Sequence, residues 1–103
     1  MLGDMYASAL EGDPQNMRVS IGNLHVFTTP HPGGGWRASE AQLWTDRKGR
    51  IDVRLFVPSM KLAMAPFRTP EEAANALLND GLAAGRLAME RESTGGWWVR
   101  SAN

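Results

Sequence analysis

Between Arg50 and Val57 the apolar residues Ile51, Val53, Leu55 and Val57 alternate strictly with Asp52, Arg54 and Phe56. A period of two puts one set on each face of an extended chain, so this segment must be a β-strand. The pattern predicts one buried face made of the aliphatic residues and one wet face, on which Phe56 is the exception. A strand needs partners, and the preceding residues supply them. Asp46-Arg47-Lys48-Gly49 reads as a four-residue hairpin loop with glycine at the left-handed position. Trp36 to Thr45 reads as the strand before it. Its phase shifts from Trp36 and Ala38 to Ala41 and Leu43, which a bulge near Ser39-Glu40 explains.

Further upstream, Met17, Val19 and Ile21 alternate with Arg18 and Ser20, and Leu24 and Val26 alternate in the opposite phase. The change falls at Gly22-Asn23. Either a type II′ turn there pairs Ile21 with Leu24 and Val19 with Val26, or a glycine bulge sits inside one long strand. Both keep the same apolar face. The bulged strand is favoured, because two separate strands would be short. Thr28 to Gly35, with two prolines and three glycines, is a connecting loop. Residues 1–16 read as a mobile arm with a helix-compatible stretch from Met5 to Leu10.

After the Ile51 strand, residues 59–65 lie between prolines and fit either an edge strand or an ordered crossover. Thr69-Pro70-Glu71-Glu72 then signals a helix start. Thr69 is the N-cap, Pro70 the first helical residue, and Glu72 completes a capping box. The helix stops at Asp80-Gly81 and resumes, or runs on to about Glu92, and Ser93-Thr94-Gly95-Gly96 ends it in either case. Gly81 and Gly85 form a small-residue stripe, read as close helix packing. Trp97 to Arg100 could add a last short strand, with Trp97 and Val99 facing the core and Trp98 free for a partner.

The expected fold is α+β: a three-stranded antiparallel meander with one helix packed on one face, forming a single domain over residues 17–103. That face carries Val19, Ile21, Val26, Val53 and Leu55. A chain of 103 residues has room for one core.

Composition narrows the function more than any motif does. The chain has no cysteine, which excludes disulfides, thiolate nucleophiles and cysteine-based metal sites. Its 11 basic and 11 acidic residues cancel, so no overall field draws it to nucleic acid or anionic membrane. No run of about 18 apolar residues predicts a membrane span, and the acidic N-terminal stretch does not resemble an export signal. Cytoplasmic localisation is therefore expected, and the excess of arginine over lysine points to a GC-rich bacterial source.

Gly33-Gly34-Gly35 lacks the lysine and the following helix of a phosphate-binding loop. His25 and His31 are six residues apart across a proline loop, which is no metal-ligand pattern. Ser20 could approach His25 under the hairpin reading, but no third group completes a catalytic set. No catalytic, cofactor-binding or metal-binding residue is expected.

Two binding readings remain. The first is a non-enzymatic protein-binding module, an adaptor or inhibitor, using the aromatics Trp98, Trp36, Trp44 and Phe56 with a sheet face or edge. The second is a nucleic-acid contact through Arg47, Lys48, Arg50 and Arg54, with Arg37 beside them. Asp46, Asp52 and Glu40 argue against it, since they would pair with these arginines as a solvated face.

Overall fold

Gly22 has a φ of 56° while Asn23 keeps a negative φ, the combination a type II′ turn requires. The chain reverses there, and Ile21 pairs with Leu24 and Val19 with Val26. The hairpin reading therefore holds, and the favoured bulged strand does not. The two strands are also longer than their apolar residues suggest. The computed structural model describes residues 5–10, 13–93 and 95–102, with side chains from residue 16 on apart from Arg47. Strand β2 is Asp13–Ile21 and β3 is Leu24–Pro30.

Met5–Leu10, predicted as helix-compatible, forms strand β1 and pairs antiparallel with β2. Residues 1–4 and 11–12 of the expected arm lie outside the described residues. β4, Trp36–Arg47, pairs with β3, and β5, Arg50–Phe56, pairs with β4. The result is one five-stranded antiparallel meander in chain order, two strands wider than predicted. The expected bulge is present: Phe27 pairs with Glu40 and Thr28 with Ala38, leaving Ser39 unpaired. The second hairpin is tighter than predicted. Arg47 pairs directly with Arg50, and the two residues between them have φ of 53° at Lys48 and 77° at Gly49, as a type I′ turn demands.

After β5 the chain makes a short helix, α1, Met60–Met64, capped by Ser59. Residues 59–65 are thus an ordered crossover, built as a helical turn, and not an edge strand. Helix α2 is Pro70–Ala83, and Thr69 caps it, its hydroxyl accepting from the Glu72 N–H at 3.1 Å. The Glu72 carboxylate accepts from the N–H of Arg68, one residue before the cap. The helix stops where Gly85 adopts φ 72°: Gly85 N–H donates to the Leu82 carbonyl and Arg86 N–H to the Gly81 carbonyl. This is a Schellman ending. Leu87–Arg91, predicted as a continuing helix, is therefore strand β6, which pairs with β7, Trp97–Ser101, in a small second sheet.

Ala73, Ala74, Leu77, Leu78 and Gly81 of α2 are buried against Val19, Ile21, Leu24, Val26, Ala38, Ala41 and Leu43 of the large sheet. Leu87 and Val99 close the core from the small sheet. One buried amide joins the two sheets. Asn23 Nδ2 donates to the Val99 carbonyl at 2.7 Å and its Oδ1 accepts from the Val99 N–H at 2.9 Å, so the side chain acts as a rung of backbone pairing. Nδ2 also donates to the Trp44 carbonyl at 2.9 Å, which places every polar atom of the amide in a hydrogen bond.

Val53 and Leu55 are not in the core. Ile51, Val53, Leu55 and Val57 are 69%, 42%, 64% and 63% exposed, and Phe56 packs at the core margin instead. The strand is where its pattern puts it, with the opposite face inward. The cause lies in the neighbours. Val26 opposite Ala41 and Leu24 opposite Leu43 fix the inner face of β4, and the two-residue turn then sets Arg54 opposite Leu43 and Phe56 opposite Ala41. Among the described residues no helix is long and apolar enough to cross a membrane.

A Cβ on Gly81 would lie 2.5 Å from Leu87 Cδ1 and 2.9 Å from Cγ, closer than real contacts allow. Alanine gains about 1 kcal/mol of helix propensity. Overpacking costs about 1–3 kcal/mol, and buried Leu87 has little room to move. Gly81→Ala should therefore lower stability in urea unfolding by about 1 kcal/mol, and a raised midpoint would contradict the close packing.

Candidate functional site

Facing strands share the residues of one face, so the register defines the sheet surface turned away from α2. It holds Arg18 and Ser20 on β2, His25 and Phe27 on β3, Glu40, Gln42 and Trp44 on β4, and Ile51, Val53 and Leu55 on β5. The half built on β2 and β3 is polar and packed. Ser20 is buried, and its Oγ lies 2.8 Å from His25 Nδ1. The His25 ring meets Trp44 edge to face with centroids 5.5 Å apart. Trp44 donates from Nε1 to the Gln42 side-chain oxygen at 3.0 Å, which fixes the indole across the strand.

The half built on β4 and β5 is apolar and open. Trp44 stands opposite Val53, with Leu55 and Ile51 on either side of it in the next strand. These residues form a continuous exposed row, and Val57 extends it beyond the strand end. Met60 and Met64 of α1 add exposed apolar surface after the same strand. Monomeric proteins seldom leave such a row uncovered.

The aromatic residues expected to bind a partner separate into two groups. Trp44 is exposed on this face. Trp36, Trp98 and Phe56 are half-buried. Trp36 forms an isolated bridge with Phe67, two backbone bonds of 2.7 Å, and a Cβ on Gly35 would meet the Phe67 carbonyl at 2.5 Å, so glycine is needed there. Phe56 lies on the helix side of the sheet with the Arg86 guanidinium 5.5 Å above its ring. In the tail Val99 is buried as expected, and the Arg91 guanidinium sits 5.7 Å over Trp97. Trp98, expected to be free, is as half-buried as Trp97.

Lys48 and Arg50 are exposed at the turn, while the Arg47 side chain lies outside the described residues. Arg50 and Arg54 point to the helix side, away from Trp44, and Arg54 donates to Ser101 Oγ at 3.1 Å. Arg37 is at the opposite end of β4, beside Thr29, and does not join the turn. Among the described residues no ion pair joins Lys48, Arg50 or Arg54 to Asp46, Asp52 or Glu40. The expected cross-strand pairing is therefore not formed by Lys48, Arg50 or Arg54.

His31 has a structural place. Its Nδ1 accepts from Gly33 N–H at 3.0 Å, which leaves Nε2 to donate to the Met64 carbonyl at 2.9 Å and tie the glycine loop to α1. Among the described residues no cluster of three or more His, Asp or Glu side chains could hold a metal ion. Asn23 is the residue the sequence does not reveal. Its only local signal is its place in a Gly-Asn turn, and its partner Val99 is 76 residues away.

The pKa of His25 lies below its ordinary value, because burial disfavours the imidazolium and because the Arg18 charge repels it. The unfolded chain takes up this proton near pH 6.5, and the folded protein does so lower. Within that window the unfolded state binds more protons, so stability is full above about pH 6.5 and falls as pH drops toward the folded pKa. Melting temperatures from pH 8 to 5 should fall more for the native protein than for His25→Gln. Parallel curves would contradict this placement of the ring. Comparison with protein-family models, with curated proteins and with solved structures finds no significant match, so the chemistry of this face is what bears on function.

Proposed function

We propose that the chain is a non-enzymatic protein-binding module whose docking surface is the open apolar half of the outer sheet face, Trp44, Ile51, Val53 and Leu55, with the β5 edge beside it. The observation that carries this reading is the exposure of three aliphatic side chains of β5 beside one tryptophan of the paired strand β4, which Gln42 fixes. Full burial of an aliphatic side chain stabilises by about 1.5–3 kcal/mol, of which a partner recovers the share still exposed, and a pre-ordered indole loses little entropy on binding. A free edge adds main-chain hydrogen bonds to the same contact.

The nucleic-acid reading is weaker for a geometric reason. Stacking a base while holding its phosphate needs aromatic and cation on one face. Trp44 and the pair Arg50 and Arg54 are on opposite faces.

Affinity capture from native extract tests the proposal. Leu55→Lys should lose the captured protein while changing stability by no more than about 0.5 kcal/mol, since Leu55 is 64% exposed. Trp44→Ala should lose it too while still folding, at a stability cost of about 1–3 kcal/mol, because the indole packs on His25 and is 39% exposed. Retention of the same partner by both variants would contradict the proposal. Loss of binding on Lys48→Glu with Arg50→Glu, together with steep weakening by salt, would favour nucleic acid instead.

A further inference from the structure

β5 ends the five-stranded sheet, and no strand pairs with its outer side among the described residues. Across a two-residue turn the flanking Arg47 and Arg50 exchange both backbone hydrogen bonds, and bonded and non-bonded pairs alternate from there. The N–H and C=O groups of Arg50, Asp52, Arg54 and Phe56 therefore point at β4. Those of Ile51, Val53 and Leu55 point outward. Edge strands are ordinarily protected by charged side chains, proline or a bulge. Residues 51–56 contain no proline and pair continuously with β4, and their two charges, Asp52 and Arg54, are of opposite sign, so a second copy of the same strand can neutralise them.

We propose that this edge is completed by the same edge of a second copy of the chain, the two β5 strands running antiparallel about a two-fold axis at Val53. The proposal rests on the reading of this surface as a protein-docking site, and it assigns the β5 edge of that surface to a second copy, which leaves the joined apolar face to the captured partner. In this register Val53 faces Val53, Ile51 of each copy faces Leu55 of the other, and Asp52 of each copy faces Arg54 of the other. Residues with outward backbone groups meet residues with outward backbone groups, so each N–H and C=O from Ile51 to Leu55 that points away from β4 gains a partner. On the outer face the apolar rows of the two copies become one.

Charge selects this register among those that pair most of β5, since an axis at Ile51 or at Leu55 would overlap only residues 50–52 or 54–56 of each strand. On the helix side Asp52 and Arg54 of opposite copies meet at non-hydrogen-bonded positions, where side chains approach most closely. Within each chain these two residues have no ion pair among the described residues. An axis at Asp52 would set aspartate against aspartate and Arg50 against Arg54, and an axis at Arg54 would set arginine against arginine. An axis between residues would turn outward backbone groups toward inward ones.

Sedimentation equilibrium on the full chain over a wide concentration range tests this. The mass should rise from 11.3 kDa toward twice that value. Asp52→Arg alone and Arg54→Asp alone each oppose like charges, and should weaken self-association by roughly tenfold or more. Mixing the two variants should restore it, because one copy then presents positive side chains at both positions and the other negative ones, an outcome that misfolding cannot imitate. Val53→Pro removes an outward N–H without touching the β4 ladder and should abolish association. A native protein that stays at 11.3 kDa at every concentration, or a mixture no better than its components, overturns the proposal. If the native protein is monomeric but Trp44-dependent capture persists, the second copy alone is overturned. If the dimer forms and capture does not depend on Trp44, the docking reading alone fails.

Discussion

The pairing of Val26 with Ala41 and of Leu24 with Leu43 determines which side of β4 faces the helix, and the rest of the sheet follows from it. All four side chains are buried under α2, so sliding β4 by one residue would bury Gln42 and Trp44 and expose Ala41 and Leu43. The Lys48-Gly49 turn transmits that choice without slack, because a two-residue loop with positive φ at both positions admits one register. β5 therefore receives its orientation from its neighbour and not from its own composition. Its aliphatic face is turned to solvent at a cost of burial that a partner can recover.

The second layer depends on close approach. Ala73, Ala74 and Gly81 keep α2 near the sheet, and the Schellman ending at Gly85 releases the chain in time for β6 to lay Leu87 on Gly81. Asn23 then ties β7 to the first hairpin. A buried amide left unpaired costs about 1–3 kcal/mol, which makes this position intolerant of a β7 that docks elsewhere. The same hairpin turn that exposes Gly22 thus positions the small sheet, and Ser20 and His25 become neighbours on the opposite face as a by-product of the same pairing.

Local signals in the sequence carried local structure well. The Thr69-Pro70-Glu72 start, the bulge at Ser39 and the alternation from Ile51 to Val57 have mechanisms that act within a few positions, whereas the Gly22-Asn23 turn passed for a bulge and the Lys48-Gly49 turn for a longer loop. What was not legible was set at long range. Alternation says that β5 has two faces but not which is inside, and the aliphatic residues expected inside, Ile51, Val53 and Leu55, are the exposed ones. Leu87 to Arg91 carries no β-branched residue and follows a helix, so its conversion to a strand depends on Gly85 and on a partner strand that begins at Trp97. The site was half visible: Trp44 could be named, but not separated from Trp36, Trp98 and Phe56, because exposure follows from packing and not from residue type. The Asn23 clamp, joining residues 76 apart, had no local trace.

Nuclear Overhauser contacts between α-protons read directly the register that turns Ile51, Val53 and Leu55 outward. In an antiparallel pair, α-protons approach closely only at non-hydrogen-bonded positions. Strong contacts are expected between the α-protons of Trp44 and Val53 and between those of Gln42 and Leu55, with no methyl contacts from Val53 or Leu55 to Leu24, Leu43 or Leu78. An α-proton contact pairing Leu43 or Thr45 with Val53, accompanied by Val53 methyl contacts to those core leucines, would show the aliphatic face inside and contradict that register.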